Sequence, residues 1–257
     1  TTSAIPNPIL RLVICIIAGA LVTAFFGFLI GIPVLKLRGD YLAIVTLAFC
    51  QIIMSLIGNC YLGFDSKGLH FSFIINEVSL EAGGKMLLSG PIGASGTQRI
   101  STFTVGIILV IITLIIIYNL MYSKNGRAIM ACRDNRIAAS SVGIDATKTK
   151  MLAFVISAGI AGASGVLYGL NFSTMASSSF SFNQSIMILV YVVLGGLGNI
   201  TGTIISTVVL YVLPEMLRSL NDYRMIIYSL ILILMMLVSN NEKLKSWSSS
   251  LFGKIKS

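Results

Sequence analysis

Between Ser123 and Lys150 the chain reads SKNGRAIMACRDNRIAASSVGIDATKTK, with Lys124, Arg127, Arg133, Arg136, Lys148 and Lys150 set against Asp134 and Asp145. This mixture holds no His/Asp or His/Glu constellation; it is suited to meeting a soluble partner through charges that flank an apolar contact. Ala128, Ile129 and Cys132, with Ile137, Ala138 and Ala139, can share the apolar side of a short amphipathic helix whose charge comes from Arg127, Arg133, Asp134 and Arg136. Gly143 stands where a helix C-terminal glycine is expected. A helix lying on lipid headgroups would carry some of the same features. A second, sparser set is Thr46, Gln51 and Ser55 within an apolar run, of which Gln51 and Ser55 share a helical face at i, i+4. These three suit either a polar translocation path or hydrogen bonds between helices.

Other chemistries lack their residues. No Asp, Glu, Lys, Arg or His falls inside the apolar runs except Arg11 near one edge, whereas ion-coupled carriers usually need an ionisable group within the membrane. There is no potassium-type selectivity filter, no charged ring of a selective pore, and no His/Asp or His/Glu constellation for a membrane enzyme. A nucleotide loop of the G-x-x-x-x-G-K-[ST] type is missing too. The four cysteines, Cys15, Cys50, Cys60 and Cys132, show neither a pairing pattern nor metal-ligand spacing, and the single histidine, His70, reads as a solvated residue. What remains is a pore subunit driven by a separate ATPase, touched through the basic loop. A channel or a structural scaffold is the alternative class.

The elements that must position these residues are membrane helices. The chain is 56% hydrophobic and 11% charged, with a mean hydropathy of +0.93, which is the composition of a polytopic α-helical membrane protein. Its net charge of +9 comes from short clusters between apolar runs, which are topology signals and not a nucleic-acid surface. The runs are residues 9–35, 41–58, 102–121, 151–170, 182–197, 200–213 and 225–238. Those at 182–197 and 200–213 are short, meet at Gly195, Gly196 and Gly198, and are open between full crossings and broken or re-entrant helices. The glycines there provide either backbone freedom for a turn or close packing. In the run 151–170, Ala161, Gly165 and Gly169 recur every four residues, with Ala158 and Gly162 one position round. Small residues at that spacing predict a helix buried in the bundle, or one that lines the path.

Charge orients the runs. With the loop at Lys36 and Arg38 inside, residues 59–101 form a long external segment, the basic loop 123–150 returns to the cytoplasm, and the serine-rich stretch 173–185 lies outside. The last run then ends inside at Lys243 and Lys245. Twelve of the eighteen basic residues fall inside, with Lys254 and Lys256 among them, and seven crossings put the amino terminus outside. No initiator Met and no signal peptide precede Thr1, so the chain is expected to be a fragment or to have had its beginning removed.

Several blocks together carry a family resemblance. Gly126-Arg127, Ala131, Arg133-Asp134-Asn135, Ala138-Ala139 and Gly143-Ile144 resemble the cytoplasmic coupling loop of bacterial ABC importer permeases. LRGDYLAIVTLAF from Leu37, LAFVISAGIAGASGVLYG from Leu152, LGGLGNITG from Leu194 and LPEMLRSLNDYRMIIYSLILILMML from Leu213 are similar to the M-type permeases of branched-chain amino-acid (LIV) uptake systems. Nearly the whole chain is covered, in the right order. Three departures stand out. A hydrophobic region before the equivalent of Ile9 is absent, a Leu62–Leu69 stretch replaces a common Thr-Gly-Gly-Ser pattern, and Ser239-Asn240-Asn241-Glu242 replaces an Arg-Pro and Gly.

The resemblance implies an all-α inner-membrane permease of the type II importer architecture, one transmembrane domain over residues 1–257 with the coupling loop 123–150 inside it. It implies a second, H-type permease, two cytoplasmic ATPases that hydrolyse ATP, and an extracytoplasmic binding protein, with surrounding lipid and no cofactor on this chain. The coupling set is then Gly126, Arg127, Ile129, Arg133, Asp134, Ala138, Ala139 and Gly143, in which Arg127, Arg133 and Asp134 fix orientation while Ile129, Ala138 and Ala139 fill the contact. The substrate implied is a branched-chain amino acid; related permeases for urea, short amides, nucleosides or sugars are the alternative.

Overall fold

A computed structural model describes residues 7–37, 40–65, 68–72, 85–95, 101–172 and 174–217, with a few positions between 226 and 233. Most of the expected last span 225–238 lies outside the described residues; the positions described there, 226, 227, 229, 230 and 233, are helical. Also outside the described residues are Arg38, the substituted pattern at Ser239–Glu242, and the basic residues Lys243, Lys245, Lys254 and Lys256.

The other apolar runs are helices within a few residues of their expected limits: α1 (Pro8–Val34), α2 (Asp40–Gly58), α3 (Phe103–Tyr122), α6 (Ala146–Asn171), α7 (Phe182–Gly195) and α8 (Ile200–Met216). The basic loop holds two more, α4 (Lys124–Asp134) and α5 (Arg136–Ser141). Pro8 sits in the first turn of α1, where its missing N–H costs nothing, and Pro33 in the last. Among the described residues, Pro8–Val34, Phe103–Tyr122, Ala146–Asn171 and the stretch Ser177–Gly195 are long and apolar enough to cross a membrane; α2 and α8 carry shorter apolar runs. α3 is apolar all round and buries none of its residues. In water such a surface would aggregate; in hydrocarbon it is solvated. The protein is a multi-pass α-helical membrane protein.

The chain divides into two compact units, 1–180 and 181–257. In the first, α1 and α6 run antiparallel with their backbones in close approach. A Cβ on Gly27 would come 2.6 Å from Ala158 Cβ, one on Gly31 2.7 Å from Met151 Sδ, one on Gly162 2.7 Å from Thr23 Cβ, and one on Gly19 into Val166. The contacts step four residues at a time along α1, at 19, 23, 27 and 31, against 166, 162, 158 and 151 on α6, the packing expected where small residues let membrane helices meet. The seam therefore runs through Ala158 and Gly162. Gly165, in the register predicted for burial, has no described atom within 4 Å of its would-be Cβ. The small residues do mark the packed helix, but the face against α1 is that of Ala158 and Gly162, one position round from the four-residue repeat, of which Gly169 is buried against Met175.

At the end of this unit away from the basic loop, the connecting segments form a five-stranded antiparallel sheet, order β2-β1-β3-β4-β5, which the helical pattern gave no sign of. Its strands are β1 (Tyr61–Asp65), β2 (Gly68–Ser72), β3 (Lys85–Ser89), β4 (Ala94–Ser95) and β5 (Thr174–Met175). His70 lies in β2 opposite Gly63, and Ala94 pairs with Met175. The sheet thus ties together the chain leaving α2, the chain entering α3 and the chain leaving α6. Their common end matches the expectation that residues 59–101 and 173–185 share one side. Tyr168 stacks near Phe172 and Phe180 at this end, with centroids 4.6 and 5.5 Å apart.

In the second unit α7 and α8 form a hairpin. Gly196 and Gly198 turn the chain with φ of +91° and +90°, a conformation open to glycine at no steric cost. Gly195 serves packing: a Cβ there would meet the Thr203 backbone and Ser206 Oγ. Ser206 Oγ donates 2.7 Å to the Tyr191 carbonyl across the hairpin.

Candidate functional site: the basic loop between α3 and α6

The loop departs from a single amphipathic helix at Asn135, whose extended backbone (φ −151°, ψ 107°) ends α4. The Asn135 side-chain oxygen accepts the N–H groups of Ile137 and Ala138 at 3.0 and 3.1 Å and so starts α5 as an N-cap. That break resets the helical phase. Cys132 in α4, Ala139 in α5 and Ala146 at the start of α6 form a small buried cluster, with Ala131 and Ile144 packed on it. Ile137 and Ala138, expected on the same side, are exposed instead.

Each end of the loop is fastened. Ser123 is both the C-cap of α3 and the N-cap of α4: its Oγ donates 2.6 Å to the Leu120 carbonyl and accepts the Gly126 N–H at 3.0 Å. Gly126 is buried, and a Cβ on it would strike the Leu120 and Met121 carbonyls, so only glycine permits so abrupt a passage from α3 to α4. Arg127 Nη1 donates 3.0 Å to the Tyr122 carbonyl, satisfying an orphan acceptor at the end of the span.

At the other side α5 closes with Gly143 at φ +84°. The Gly143 N–H bonds to Ser140 O and the Ile144 N–H to Ala139 O, both at 3.1 Å, which is the Schellman pattern with its hydrophobic contact between Ile144 and Ala139. Asp145 then caps α6, accepting the N–H groups of Thr147 and Lys148 at 3.0 and 3.1 Å, with Lys148 Nζ 3.5 Å away. The Lys148 backbone N–H above all, helped by the Thr147 N–H and the Lys148 ammonium, holds this carboxyl below the usual carboxylate range.

The eight residues of the proposed coupling set therefore separate. Gly126 and Ala139 are buried within the chain and cannot fill a partner contact; Arg127 secures α3 and Gly143 ends α5. Arg133, Asp134 and Ala138 are exposed, the first two paired at 3.0 Å with side chains 56% and 67% exposed. Ile129 is half-buried along a cleft beside α6. The large apolar groups turned to solvent are Ile137 and Val142, at 80% and 76% exposure. Sequence reasoning missed Asn135 and Asp145 as caps and Val142 as a surface residue. Ser123, Asn135 and Asp145 each lead a helical segment, a signal that would have divided the loop correctly.

The structure also separates the proposed path residues. Gln51 and Ser55 lie together on an exposed face of α2. Thr46 is half-buried and its hydroxyl donates 3.0 Å to Leu42 O. It falls in line with Cys50, Met54 and Ile57, which border an apolar hollow of about 380 Å³ beneath β3, β4 and β5.

Comparison with known proteins agrees with this architecture. The chain is 36% identical over 234 residues to the high-affinity branched-chain amino acid transport system permease protein LivM of Salmonella typhimurium, and 34% identical to the LivM of Escherichia coli K12; each alignment covers 87% of this chain and 55% of the relative. The LivH permease protein of S. typhimurium is 32% identical over 180 residues, covering 65% of this chain and 58% of that protein. The chain thus spans a little over half the length of these curated relatives. No solved structure matches it significantly. The model of one permease family, described as branched-chain amino acid transport system / permease component, matches residues 1–238. With its helical spans in the expected places and the fastened basic loop between the third and fourth of them, this chain belongs to that family of permease components.

Proposed function

We propose that the chain is the M-type permease subunit of an ATP-driven importer in the bacterial cytoplasmic membrane, and that the importer carries leucine, isoleucine or valine. The observation that supports this most is the family match across residues 1–238, with LivM proteins at 34–36% identity over most of the chain. In this reading it pairs with an H-type permease and receives substrate from an extracytoplasmic binding protein. Two cytoplasmic ATPases hydrolyse the ATP, and this chain binds no nucleotide or cofactor.

The coupling element is α5 with the end of α4. Ile137 and Val142 enter an ATPase cleft, Ala138 lies against its wall, and the Arg133–Asp134 pair fixes orientation at the rim. Arg127, Asn135, Gly143 and Asp145 hold the element rigid and do not touch the partner. Closure of the ATPases on ATP favours one position of this element over another and shifts the membrane helices between inward-open and outward-open states. Gln51 and Ser55 face the substrate's path.

Uptake of radiolabelled substrates decides the reading. A strain without its other leucine carriers, supplied with the complete permease and its partners, is expected to accumulate leucine, isoleucine and valine in competition with one another. Robust urea or nucleoside uptake that leucine does not compete would refute the substrate.

A further inference from the structure

A cleft of about 590 Å³ opens where the loop meets the membrane helices, within the size range of small-molecule sites. Its polar side carries Arg133 and Lys150; its apolar side carries Leu35 from the end of α1, Ile129 from α4, and Ala153 and Phe154 from α6. Two features identify what fits. Arg133 uses Nε and Nη2 on Asp134 Oδ1, both at 3.0 Å, which leaves Nη1 with two donors to give. Lys150 is exposed and has no ion-pair partner among the described residues. The two hydroxyls in the wall are already committed, Thr149 to Asp145 O at 2.8 Å and Ser157 to Phe154 O at 2.9 Å, so the cations set the ligand's charge.

Depth selects the kind of ligand. The lining follows α6 from Lys150 to Ser157, about 10 Å at 1.5 Å per residue, from the first charge-bearing turns into the apolar run. A soluble protein would reach the rim but not the wall at Phe154, which falls inside the apolar run 151–170. An anion with a hydrocarbon tail satisfies both ends.

We propose that this cleft is a binding site for an anionic phospholipid, whose headgroup phosphate is held between Arg133 and Lys150 while one acyl chain lies along Leu35, Ala153 and Phe154. Because the bound lipid touches α1, α4 and α6 together, it braces the base of the loop against the α1–α6 pair.

Native mass spectrometry of the complete permease tests this, with phosphatidylglycerol or phosphatidylcholine added in mild detergent. Phosphatidylglycerol should be retained preferentially. Lys150→Gln should lower its retention about five-fold, in line with the electrostatic worth of one cation near an anionic lipid. Arg133→Gln combined with it should bring retention to the phosphatidylcholine level, and Lys150→Arg should restore it. Lys148→Gln, which removes a lysine paired with Asp145 outside the cleft, should leave retention unchanged. Equal retention of the two lipids by the unmodified protein would overturn the proposal. So would a loss in Lys148→Gln matching that in Lys150→Gln, or a Lys150→Gln variant that loses its ATPase subunits while keeping its lipid.

Discussion

Replacing Gly162 with Leu should break the α1–α6 pair, while the same change at Gly165, three residues along the same helix, should not. A Cβ at 162 lies 2.7 Å from Thr23 Cβ and Cγ2 and closer still to Oγ1. Thr23 cannot swing aside freely, because its hydroxyl donates 2.8 Å to Gly19 O and sits 3.1 Å from Ala20 O. Losing that bond costs about 1 kcal/mol. Overpacking a close helix contact adds about 1–3 kcal/mol. The expected total for Gly162→Leu is about 3 kcal/mol, on the order of a hundredfold in the folded-to-unfolded ratio. Gly165→Leu meets no described atom within 4 Å and should change stability by less than about 0.5 kcal/mol. Reversible unfolding of the purified permease in mixed micelles, followed by SDS titration, measures both. Adding Thr23→Gly to Gly162→Leu, which removes the atoms the new side chain meets first, should recover part of the loss. Equal losses at 162 and 165, or a larger loss at 165, would refute the seam.

Three further outcomes follow from the loop. Alanine at both Arg133 and Asp134 should lower substrate-stimulated ATP hydrolysis of the assembled importer without affecting membrane insertion, since among the described residues the two exposed groups pair with each other and anchor no helix; Ile137→Asp should do the same, and unchanged stimulation in either well-expressed variant would count against α5 as the coupling element. Gly143→Ala should destabilise the permease by about 1–2 kcal/mol through its left-handed backbone alone, read as a lowered Tm, with Gly143→Asn milder. The Asp145 cap should fail in acid. Its carboxyl titrates lower folded than unfolded, so its contribution is complete above the unfolded value and vanishes as pH falls through the folded one; hydrogen exchange at the Thr147 and Lys148 amides should accelerate there, and in Asp145→Ala at neutral pH.

The spans were legible because hydrocarbon demands long apolar runs whose backbone bonds are internal, and the helices accordingly begin and end close to the run limits. Packing register was less so. The repeat Ala161, Gly165, Gly169 and the pair Ala158, Gly162 are equivalent as patterns, and only the partner helix, with Thr23, Gly27 and Gly31, decides between them. The loop was misread where one residue overrode periodicity: Asn135 caps α5, so Ile137 and Ala138 leave the side that Cys132 and Ala139 occupy. The small sheet was invisible because strands of two to five residues, paired across the chain from Ala94 to Met175, leave no alternation long enough to detect. Gln51 and Ser55 were correctly placed on one face, since i, i+4 geometry is local.

Ser123 joins α3 to α4 with a single residue, bonded in both directions, and the buried Gly126 behind it leaves no room for the joint to flex. The far side is almost as short, with Gly143, Ile144 and Asp145 each fixed by a backbone or capping bond. A tether would absorb a push as slack. This loop has none to take up, so an ångström of displacement imposed at α5 is delivered nearly undiminished to the ends of α3 and α6. In the proposed coupling role the loop works as a crank rather than a leash, and lengthening it beside Ser123 by a flexible glycine pair is expected to lower substrate-stimulated ATP hydrolysis while leaving every surface contact intact.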